Sequence, residues 1–442
     1  MSETRFELTD LHEEFEDRAI LVGVDYGRRG WGLEESLDEL ARLTDTAGAR
    51  IVGRITQRLE KPNPKTFIGT GKANEIERMA KREQATLIVF DDDLTPSQQG
   101  NLEDIITGAK VIDRTALILD IFALHAKSNE GKLQVELAQM EYLLPRLRGL
   151  WRHLEKMGGA GMGAAGIGGV GTRGPGETQL ETDRRLARRR IQALRRELAH
   201  VSASRETQRH ARERSGVYRV ALVGYTNAGK STLLNALTGA GVLAYDRLFA
   251  TLDSTTRGLD LEDGRRVTLT DTVGFINKLP HGLVEAFKST LDEVREADLL
   301  LHVVDSGHAQ LREQMRAVNE VLGEIGATEA PQLLVFNKID AIARDDLARL
   351  KARWPRAVFV SGLAGEGLET LRERVGDEAA RGARLLELLL PYTRGDLVQM
   401  AHSSGQIIRE EHTGEGTRMA VRVPLAIAER FEPFELDGRE RD

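Results

Sequence analysis

The sequence predicts an α/β fold with several domains, one of them built on a doubly wound parallel sheet. A chain of 442 residues is too long for one compact core, and its 40% hydrophobic and 30% charged residues are typical of a folded globular protein. Short apolar runs alternate with amphipathic segments in two regions, which is the pattern of strand–helix units. A heptad pattern between these regions predicts a pair of helices.

Composition narrows the classes of function. The chain has no cysteine, which excludes disulfides and thiolate metal sites and favours a cytoplasmic location. No apolar run reaches the roughly 20 residues of a membrane-spanning helix, and the N-terminus lacks a signal-peptide pattern. The net charge of −7 argues against general nucleic-acid binding, but residues 184–214 contain eleven arginines and only three glutamates. A locally basic element is therefore expected in an acidic protein.

Residues 1–130 predict a small N-terminal α/β domain. Its expected strands are AILVGV, RIVGRI, TLIVFD and KVID. The tetrapeptide GTGK at Gly69–Lys72 lacks the first half of a phosphate-binding loop, so we assign no nucleotide to it. The three aspartates at positions 91–93 are interpreted as a solvated strand end in preference to a metal site.

Residues 131–215 predict a helical hairpin with a glycine-rich tip. Apolar residues from Leu133 to Leu154 and from Ala187 to Val201 recur at spacings of four and three, and Pro145 interrupts the first series. Half of the residues from Gly158 to Glu177 are glycine. This segment has three interpretations: a disordered linker, a second phosphate nest, or a tip poor in side chains that enters RNA. The flanking arginines available to phosphates are Arg173, Arg184, Arg185, Arg188 and Arg189.

Residues 216–380 predict the doubly wound sheet, and residues 381–442 predict a small C-terminal α+β domain. In the former, GYTNAGKS at Gly224–Ser231 fits the phosphate-loop pattern between an apolar strand and a helix. Backbone amides and the helix N-terminus would surround the phosphates, since glycine permits close approach. Lys230 would meet the β and γ phosphates, and the Ser231 hydroxyl would ligate Mg²⁺.

Two further motifs specify the nucleotide. DTVG, beginning at Asp271, follows the strand RVTLT; Asp271 would face the magnesium ion and the Gly274 amide would sense the γ phosphate. NKID ends at Asp340, whose carboxylate can accept two hydrogen bonds from guanine that adenine cannot offer. Ser361 and Gly362 would brace the base from the far side. GTP is therefore the predicted substrate.

A threonine that reaches the metal ion is expected in the segment FATLDSTTR, residues 249–257. Thr251, Thr255 and Thr256 are the candidates. At the position after DTVG, Phe275 stands where Ras-like enzymes carry the glutamine that orients the attacking water. Hydrolysis by the isolated protein is therefore expected to be slow unless another residue positions the water. Asn227 resembles the phosphate-loop asparagine of potassium-stimulated GTPases and leaves K⁺ open as a second cation.

These motifs together resemble the HflX family of ribosome-associated GTPases. The resemblance rests on GYTNAGKS, FATLD, DTVGF, NKID, FIGTGK at Phe67–Lys72 and the characteristic GTRGPGETQLETDRR at Gly171–Arg185. It implies that Thr251 is the switch ligand, and it favours the RNA interpretation of the glycine-rich tip. Ser254 and Gly362 stand where the family usually has proline and alanine, and Ser254 would loosen the switch loop.

The resemblance also implies a role for the protein. A factor of this family would bind the large (50S) ribosomal subunit and its rRNA, be stimulated by the ribosome, and split or rescue stalled ribosomes; the alternatives are a ribosome-assembly GTPase and a nucleotide-switched scaffold without RNA contact. It is expected to act as a monomer. We assign catalysis to Lys230, Thr251 and Gly274, and metal binding to Ser231 and Thr251. The residues assigned to the nucleotide are Gly224, Tyr225, Thr226, Asn227, Ala228, Gly229, Lys230, Ser231, Thr232, Phe249, Ala250, Thr251, Leu252, Asp253, Asp271, Thr272, Val273, Gly274, Asn337, Lys338, Ile339, Asp340, Ser361 and Gly362.

Overall fold

A computed structural model describes most of the chain. The described residues are 17–27, 31–147, 175–213, 217–239, 248–249, 251–262, 265–278 and 288–436. They divide into two compact units, the first containing residues 1–124 and 136–192 and the second residues 125–135 and 193–442. None of the helices in the described ranges is both long and apolar enough to cross a membrane.

The first unit contains a parallel sheet with the strand order β2-β1-β3-β4. Apolar side chains are buried on both faces of this sheet, with Ile20 and Ile88 on one face and Leu21 and Val89 on the other, as expected for strands connected by crossover helices. Thr95 and Gln98 form a reciprocal capping box that begins α3. The elements are β1 (Arg18–Asp25), α1 (Leu33–Thr46), β2 (Arg50–Arg58), α2 (Thr70–Glu83), β3 (Leu87–Phe90), α3 (Pro96–Ile105), β4 (Lys110–Asp113) and α4 (Arg114–His125).

The interpretation of residues 91–93 as a solvated strand end is wrong for Asp91. Its side chain is 1% exposed and forms an ion pair with the equally buried Arg114, with a distance of 2.7 Å between Oδ1 and Nη1. The hydroxyl of Ser36 donates a hydrogen bond to the other carboxylate oxygen at 2.7 Å. No cluster of three metal-binding side chains occurs among the described residues. A cation from the chain itself, Arg114, therefore compensates this buried carboxylate.

Two helices occupy the region predicted as a hairpin. Helix α5 spans Asn129–Leu143, and a 3₁₀ turn at Leu144–Arg146 contains the expected break at Pro145. Helix α6 spans Pro175–Glu213, a length of 39 residues. Within the first unit, the Arg190 guanidinium donates two hydrogen bonds to Glu136, at 2.7 and 2.8 Å. The predicted glycine-rich tip lies mainly within residues 148–174, outside the described residues.

The second unit contains the predicted doubly wound sheet, which confirms the fold class. Its strand order is β10-β9-β8-β5-β7-β6, and only β6 pairs antiparallel. The elements are β5 (Tyr218–Gly224), α7 (Lys230–Thr238), β6 (Thr255–Asp260), β7 (Arg266–Asp271), α8 (Lys288–Arg295), β8 (Leu299–Asp305), α9 (Leu311–Glu324), β9 (Gln332–Asn337), α10 (Arg344–Arg353), β10 (Val358–Phe359) and α11 (Leu368–Arg381).

The C-terminal residues form a small antiparallel sheet with its own apolar core. Its strand order is β11-β13-β12, and two helices cover the inward-facing leucines and valines. An antiparallel sheet covered by helices is the α+β arrangement predicted for residues 381–442. The elements are β11 (Ala383–Leu390), α12 (Gly395–Ser404), β12 (Gln406–His412), β13 (Thr417–Pro424) and α13 (Leu425–Ala428).

Candidate functional site

The predicted phosphate loop connects the end of β5 to the start of α7. Gly229, the residue before the helix, has a φ of +88° that favours glycine, and a Cβ there would overlap the Asn337 side-chain nitrogen. The Asn337 amide donates a hydrogen bond to the Ala228 carbonyl at 3.0 Å and accepts one from the Gly362 amide at 2.9 Å. Asn337 therefore joins the phosphate loop to the loop after β10.

Lys230 lies buried beneath this loop. Its ammonium group donates hydrogen bonds to the carbonyl oxygens of Gly224 and Tyr225, at 3.1 and 3.0 Å. Burial lowers the pKa of Lys230 to about 8, and the Asp271 carboxylate acts in the opposite direction. The hydrogen bonds given for this cation go to neutral carbonyl groups and burial outweighs the effect of Asp271, so an anion close to this nitrogen would be strongly stabilised.

Three oxygen-bearing side chains meet in front of α7. The Ser231 hydroxyl lies 2.6 Å from Asp271 Oδ2 and 2.9 Å from the Thr251 hydroxyl, and the Thr251 hydroxyl lies 3.0 Å from the same Asp271 oxygen. Asp271 Oδ1 is buried without a hydrogen-bond partner among the described residues. Burial raises the pKa of Asp271, against the charge of Lys230 and the two hydroxyl donors. An oxygen-only set with an uncompensated carboxylate oxygen fits the preference of Mg²⁺.

The other two threonine candidates lie elsewhere. Thr255 and Thr256 belong to β6, where they pair with Asp271 and Thr270 across the antiparallel ladder. The Thr256 hydroxyl is 2.9 Å from the Thr270 hydroxyl, so it is engaged along the strands. Of the three candidates, the structure brings Thr251 to Ser231.

Both segments that flank the γ-phosphate position contact Thr226 of the phosphate loop. Its hydroxyl accepts a hydrogen bond from the Phe249 amide at 3.0 Å, and its own amide donates to the Phe275 carbonyl at 2.7 Å. A Cβ on Gly274 would lie 2.7 Å from Thr226 Cα and 3.1 Å from Lys230 Nζ. Only glycine allows the DTVG turn to approach the phosphate loop this closely.

On the base side, the NKID turn lies beside the loop after β10. Lys338 adopts a left-handed conformation, and its ammonium group forms a 2.8 Å ion pair with Asp305 at the end of β8. Asp340 lies in a short 3₁₀ turn and is exposed, so its carboxylate is accessible to a ligand. Ser361 is fully buried, and its hydroxyl accepts a hydrogen bond from the Ala364 amide at 2.9 Å.

The remaining predicted residues support these groups. The Tyr225 hydroxyl accepts a hydrogen bond from the Asn277 amide at 2.6 Å, and the Thr272 hydroxyl donates to the Leu222 carbonyl at 2.6 Å. The Ile339 amide donates to the Val360 carbonyl at 3.2 Å. Thr232 lies in the first turn of α7, Leu252 and Val273 are buried, Asn227 has a φ of +60°, and Ala250 lies outside the described residues.

Asp253 has a different environment from the one expected. Its Oδ2 atom accepts hydrogen bonds from the Lys127 amide at 2.9 Å and the Ser128 amide at 2.7 Å, and its Oδ1 atom accepts from the Ser128 hydroxyl. Both carboxylate oxygens are therefore directed to the start of α5. No sequence pattern signals this contact, because the partners are 125 and 126 positions apart.

Two residues near the site were missed. His302 lies on β8 and is 3% exposed, and burial together with the charge of Lys230 lowers its pKa to about 4. Asp305 ends the same strand and fixes Lys338. A polar residue inside the apolar run LLLHVVD was the available signal for His302, and a carboxylate at the carboxyl end of a parallel strand was the signal for Asp305.

Comparison with known proteins identifies relatives along most of the chain. Three family models match successive parts of the chain: "GTP-binding GTPase N-terminal" at residues 34–123, "GTP-binding GTPase Middle Region" at 125–212 and "50S ribosome-binding GTPase" at 219–338. Together they span residues 34–338, which is most of both alternating regions and the helices between them.

Relatives named GTPase HflX match almost the whole chain. That of Caldanaerobacter subterraneus is 44% identical over 98% of this chain and 97% of its own length. That of Escherichia coli is 45% identical over 92% of this chain and 94% of its own. Among solved structures, a GTP-binding protein from Sulfolobus solfataricus in complex with GDP is 26% identical, with a TM-score of 0.41 over 82% of this chain and 99% of the other.

Proposed function

The chain belongs to the HflX family of GTPases, and we propose that its GTP cycle controls binding to the large ribosomal subunit. It hydrolyses GTP to GDP and phosphate, as its relatives' name and its GTPase domain show. The observation that carries the proposal for the site is the convergence of Ser231, Thr251 and Asp271 within 3.0 Å of one another. A threonine from a separate loop meets the phosphate-loop serine there, as expected when a metal ion orders the switch segment.

In the proposed site, Ser231 and Thr251 would ligate Mg²⁺, and Asp271 would hold the ion as an outer partner of these ligands. The ion would neutralise charge that develops on the transferred phosphoryl group. Lys230 would stabilise the same charge, and the Gly274 amide would contact the γ phosphate. Because burial already disfavours the charged forms of Lys230 and Asp271, bound phosphate and cation would relieve both penalties together.

On the base side, we propose that Asp340 accepts hydrogen bonds from guanine. Its exposed carboxylate is available to a ligand, whereas Asn337 is committed to bonds that fix the surrounding loops. The ion pair with Asp305 holds Lys338 beside the base position, and the Gly362 amide is fixed by Asn337. Guanine recognition and phosphate binding are thereby supported by one connected set of loops.

The environment of Phe275 supports slow intrinsic hydrolysis. Its side chain is 1% exposed, and its backbone closes the phosphate loop through the bonds with Gly224 and Thr226. An apolar buried ring cannot orient a water molecule by hydrogen bonding. We propose that the ribosome completes the catalytic arrangement; the contribution of an arginine finger in other GTPases is about 10³–10⁵ in rate.

Helix α6 supports the proposed rRNA contact. Its arginines Arg185, Arg188, Arg189 and Arg196 are exposed. Guanidinium groups suit phosphate because they donate several hydrogen bonds in a fixed geometry. We propose that this surface binds rRNA beside the glycine-rich tip.

In the proposed cycle, GTP orders the switch segments and favours the large-subunit-bound conformation, and hydrolysis releases the protein. The resemblance to the HflX family implies the splitting or rescue of stalled ribosomes, and we propose this role for a cytoplasmic monomer. A ribosome-assembly GTPase would bind precursor subunits instead, and a scaffold would bind no RNA.

Sedimentation of 70S ribosomes with the full-length protein tests the proposal. With GTP or a non-hydrolysable analogue, we expect 30S and 50S subunits to appear and the protein to migrate with 50S particles. With GDP, the 70S peak should remain. Binding only to immature large subunits would support the assembly alternative, and a GTPase rate unchanged by 50S subunits would contradict stimulation by the ribosome.

Two variants separate RNA binding from nucleotide binding. Deletion of residues 159–174 should preserve GTP binding and abolish stimulation by 50S subunits, whereas the scaffold alternative predicts that neither changes. The double substitution Arg188→Ala and Arg189→Ala should reduce the slope of the log–log salt dependence of 50S binding by about two. Arg349→Ala and Arg381→Ala, both on exposed helical faces of the second unit, provide the matched control.

The proposal for potassium rests on Asn227. Asn227 adopts a left-handed conformation in the phosphate loop, with a φ of +60°. If K⁺ is a second cation, replacing NaCl by KCl at constant ionic strength should raise the GTPase rate, and Asn227→Ala should remove the difference. Equal rates in the two salts would exclude this role.

A further inference from the structure

We infer that Asp253 is a positioning residue that couples the switch threonine Thr251 to the N-terminus of helix α5. The inference rests on the proposed role of Thr251 in magnesium binding, and it adds a second site that senses the nucleotide. Asp253 lies two residues after Thr251, and both of its carboxylate oxygens bind the residues that begin α5. Its carboxylate is therefore a cap for a distant helix.

The start of α5 is an incomplete capping box. Ser128 precedes the helix and its hydroxyl accepts a hydrogen bond from the Gly131 amide at 2.9 Å, as an N-cap serine does with the third helical residue. In a complete capping box, a glutamate or glutamine at that third position would return a bond to the N-cap amide. Gly131 has no side chain with which to do so.

Asp253 supplies the missing half of this box from the switch segment. It accepts the Ser128 amide at 2.7 Å, which is the bond that a capping glutamate would make, and it also accepts the preceding Lys127 amide. A Cβ on Gly131 would overlap Asp253 Oδ1 and lie 3.0 Å from the Ser128 hydroxyl. The glycine thus removes the competing cap and makes room for the carboxylate.

The short distance along the chain makes the coupling strong. Two residues span at most about 7 Å, so Thr251 cannot move far from the metal position while Asp253 remains bound. Release of the switch segment after hydrolysis would therefore remove the cap and leave the amides at 127 and 128 without this acceptor. By reciprocity, a partner that displaces the start of α5 weakens the ordering of Thr251 and hence the preference for GTP over GDP.

Affinity and hydrogen exchange together test this coupling. We would measure the binding of a non-hydrolysable GTP analogue and of GDP to the full chain, and amide exchange in peptides that cover residues 125–133. Asp253→Ala should lower the analogue affinity relative to GDP by about 3- to 30-fold, the range for the loss of a helix cap. It should also abolish the difference in α5 exchange between the two nucleotide states, which the wild-type protein should show.

Two substitutions distinguish a cap from a direct effect on the metal ion. Asp253→Asn should keep most of the wild-type preference for the GTP analogue and most of the nucleotide-dependent exchange of α5, because asparagine caps helices as well as aspartate does. Gly131→Glu gives α5 its own capping box, so it should protect the helix start in both nucleotide states yet lower the GTP preference as Asp253→Ala does. Asp260→Ala, at an exposed position 82% accessible, is the control for lost charge and should behave as wild type.

The inference is overturned if Asp253→Ala leaves the nucleotide-dependent exchange of α5 intact, or if Asp253→Asn is as damaging as Asp253→Ala. Failure of the magnesium assignment has a different signature. Thr251→Ala would then leave the preference for GTP unchanged, whatever happens at α5.

Discussion

The two parallel sheets of this protein both carry aspartates at their carboxyl edges, but the aspartates have different partners. In the first sheet, Asp91 is bound by Arg114 and Ser36. At the end of β4, Asp113 accepts bonds at both oxygens, from the Leu94 and Ala116 amides among others. In the second sheet, Asp271 uses one oxygen for two hydroxyls, and the other is buried without a hydrogen-bond partner among the described residues.

The difference shows what converts a sheet edge into a ligand site. Parallel topology brings polar side chains together at the carboxyl ends of strands in both units. In the first unit an arginine from the chain compensates the buried carboxylate, so this part of the edge is complete without a ligand. In the second unit a glycine-bearing loop leaves space, and Lys230 and Asp271 remain partly uncompensated. The edge of the second sheet is therefore predicted to depend on a ligand and that of the first is not.

The largest predicted effect is the loss of base selectivity in Asp340→Asn. A site built around a hydrogen-bonding group rejects the wrong base by about 10⁴-fold or more, so the preference for GTP over ATP should fall by up to that factor. Competition binding with both nucleotides measures it. Asp346→Asn, an exposed aspartate in the first turn of α10, should retain the preference. Unchanged discrimination in Asp340→Asn would show that another group reads the base.

A second substitution should damage the first sheet and leave the nucleotide site intact. Arg114→Met would remove the cation that pairs with Asp91 and Glu39. Removing one partner of a buried ion pair costs about 3–5 kcal/mol. We expect this loss in the unfolding free energy of the first unit, measured by hydrogen exchange of β1 and β3 in denaturant. GTP affinity should remain within about twofold. Arg54→Ala, which breaks the exposed pair with Asp38, should cost less than about 1 kcal/mol.

Lys230→Met should impair GTP hydrolysis and leave the stability of the protein intact. Without the ammonium group, we expect GTP hydrolysis to fall by about 10²–10³-fold, the effect of removing one preorganised donor to developing charge. Stability of the nucleotide-free protein should not fall, because methionine fills similar space without a buried charge. Thermal melting and single-turnover hydrolysis measure the two quantities. Lys351→Met, at an exposed position of α10, is the control.

Much of this contrast could be predicted from the sequence, and the limits have physical causes. The nucleotide site could be predicted because phosphate loops require fixed residues at fixed short spacings, as in Gly224–Ser231. Asp91 was misinterpreted because Arg114 lies 23 positions away and reaches it only when β3 and β4 pair. Residues far apart in sequence leave no periodic signal when they form an isolated ion pair.

The same limit applies to Asp253. Its motif predicted proximity to the nucleotide, and only the folded arrangement shows that its carboxylate reaches Ser128. Helix α6 begins at Pro175, within the segment Gly158–Glu177 that is interpreted from the sequence as the glycine-rich tip. Proline is favoured in the first turn of a helix, which was the overlooked signal.

The smallest predicted effect concerns His302. It tests whether the second sheet contains a buried group that lowers the stability of the fold at acidic pH. Burial lowers its pKa from 6.5 to about 4, so the unfolded chain takes up a proton between these values while the folded protein does not. Stability should therefore decrease as the pH falls from 6.5 to 4, with a slope of at most about 1.4 kcal/mol per pH unit. Urea denaturation across this range, compared with His302→Gln, isolates the contribution. His402→Gln, at a half-exposed position paired with Glu410, is the control for the substitution itself. An equal pH dependence in wild type and His302→Gln would mean that His302 takes up its proton equally well in the folded and the unfolded chain. The second sheet would then resemble the first in compensating its buried charge.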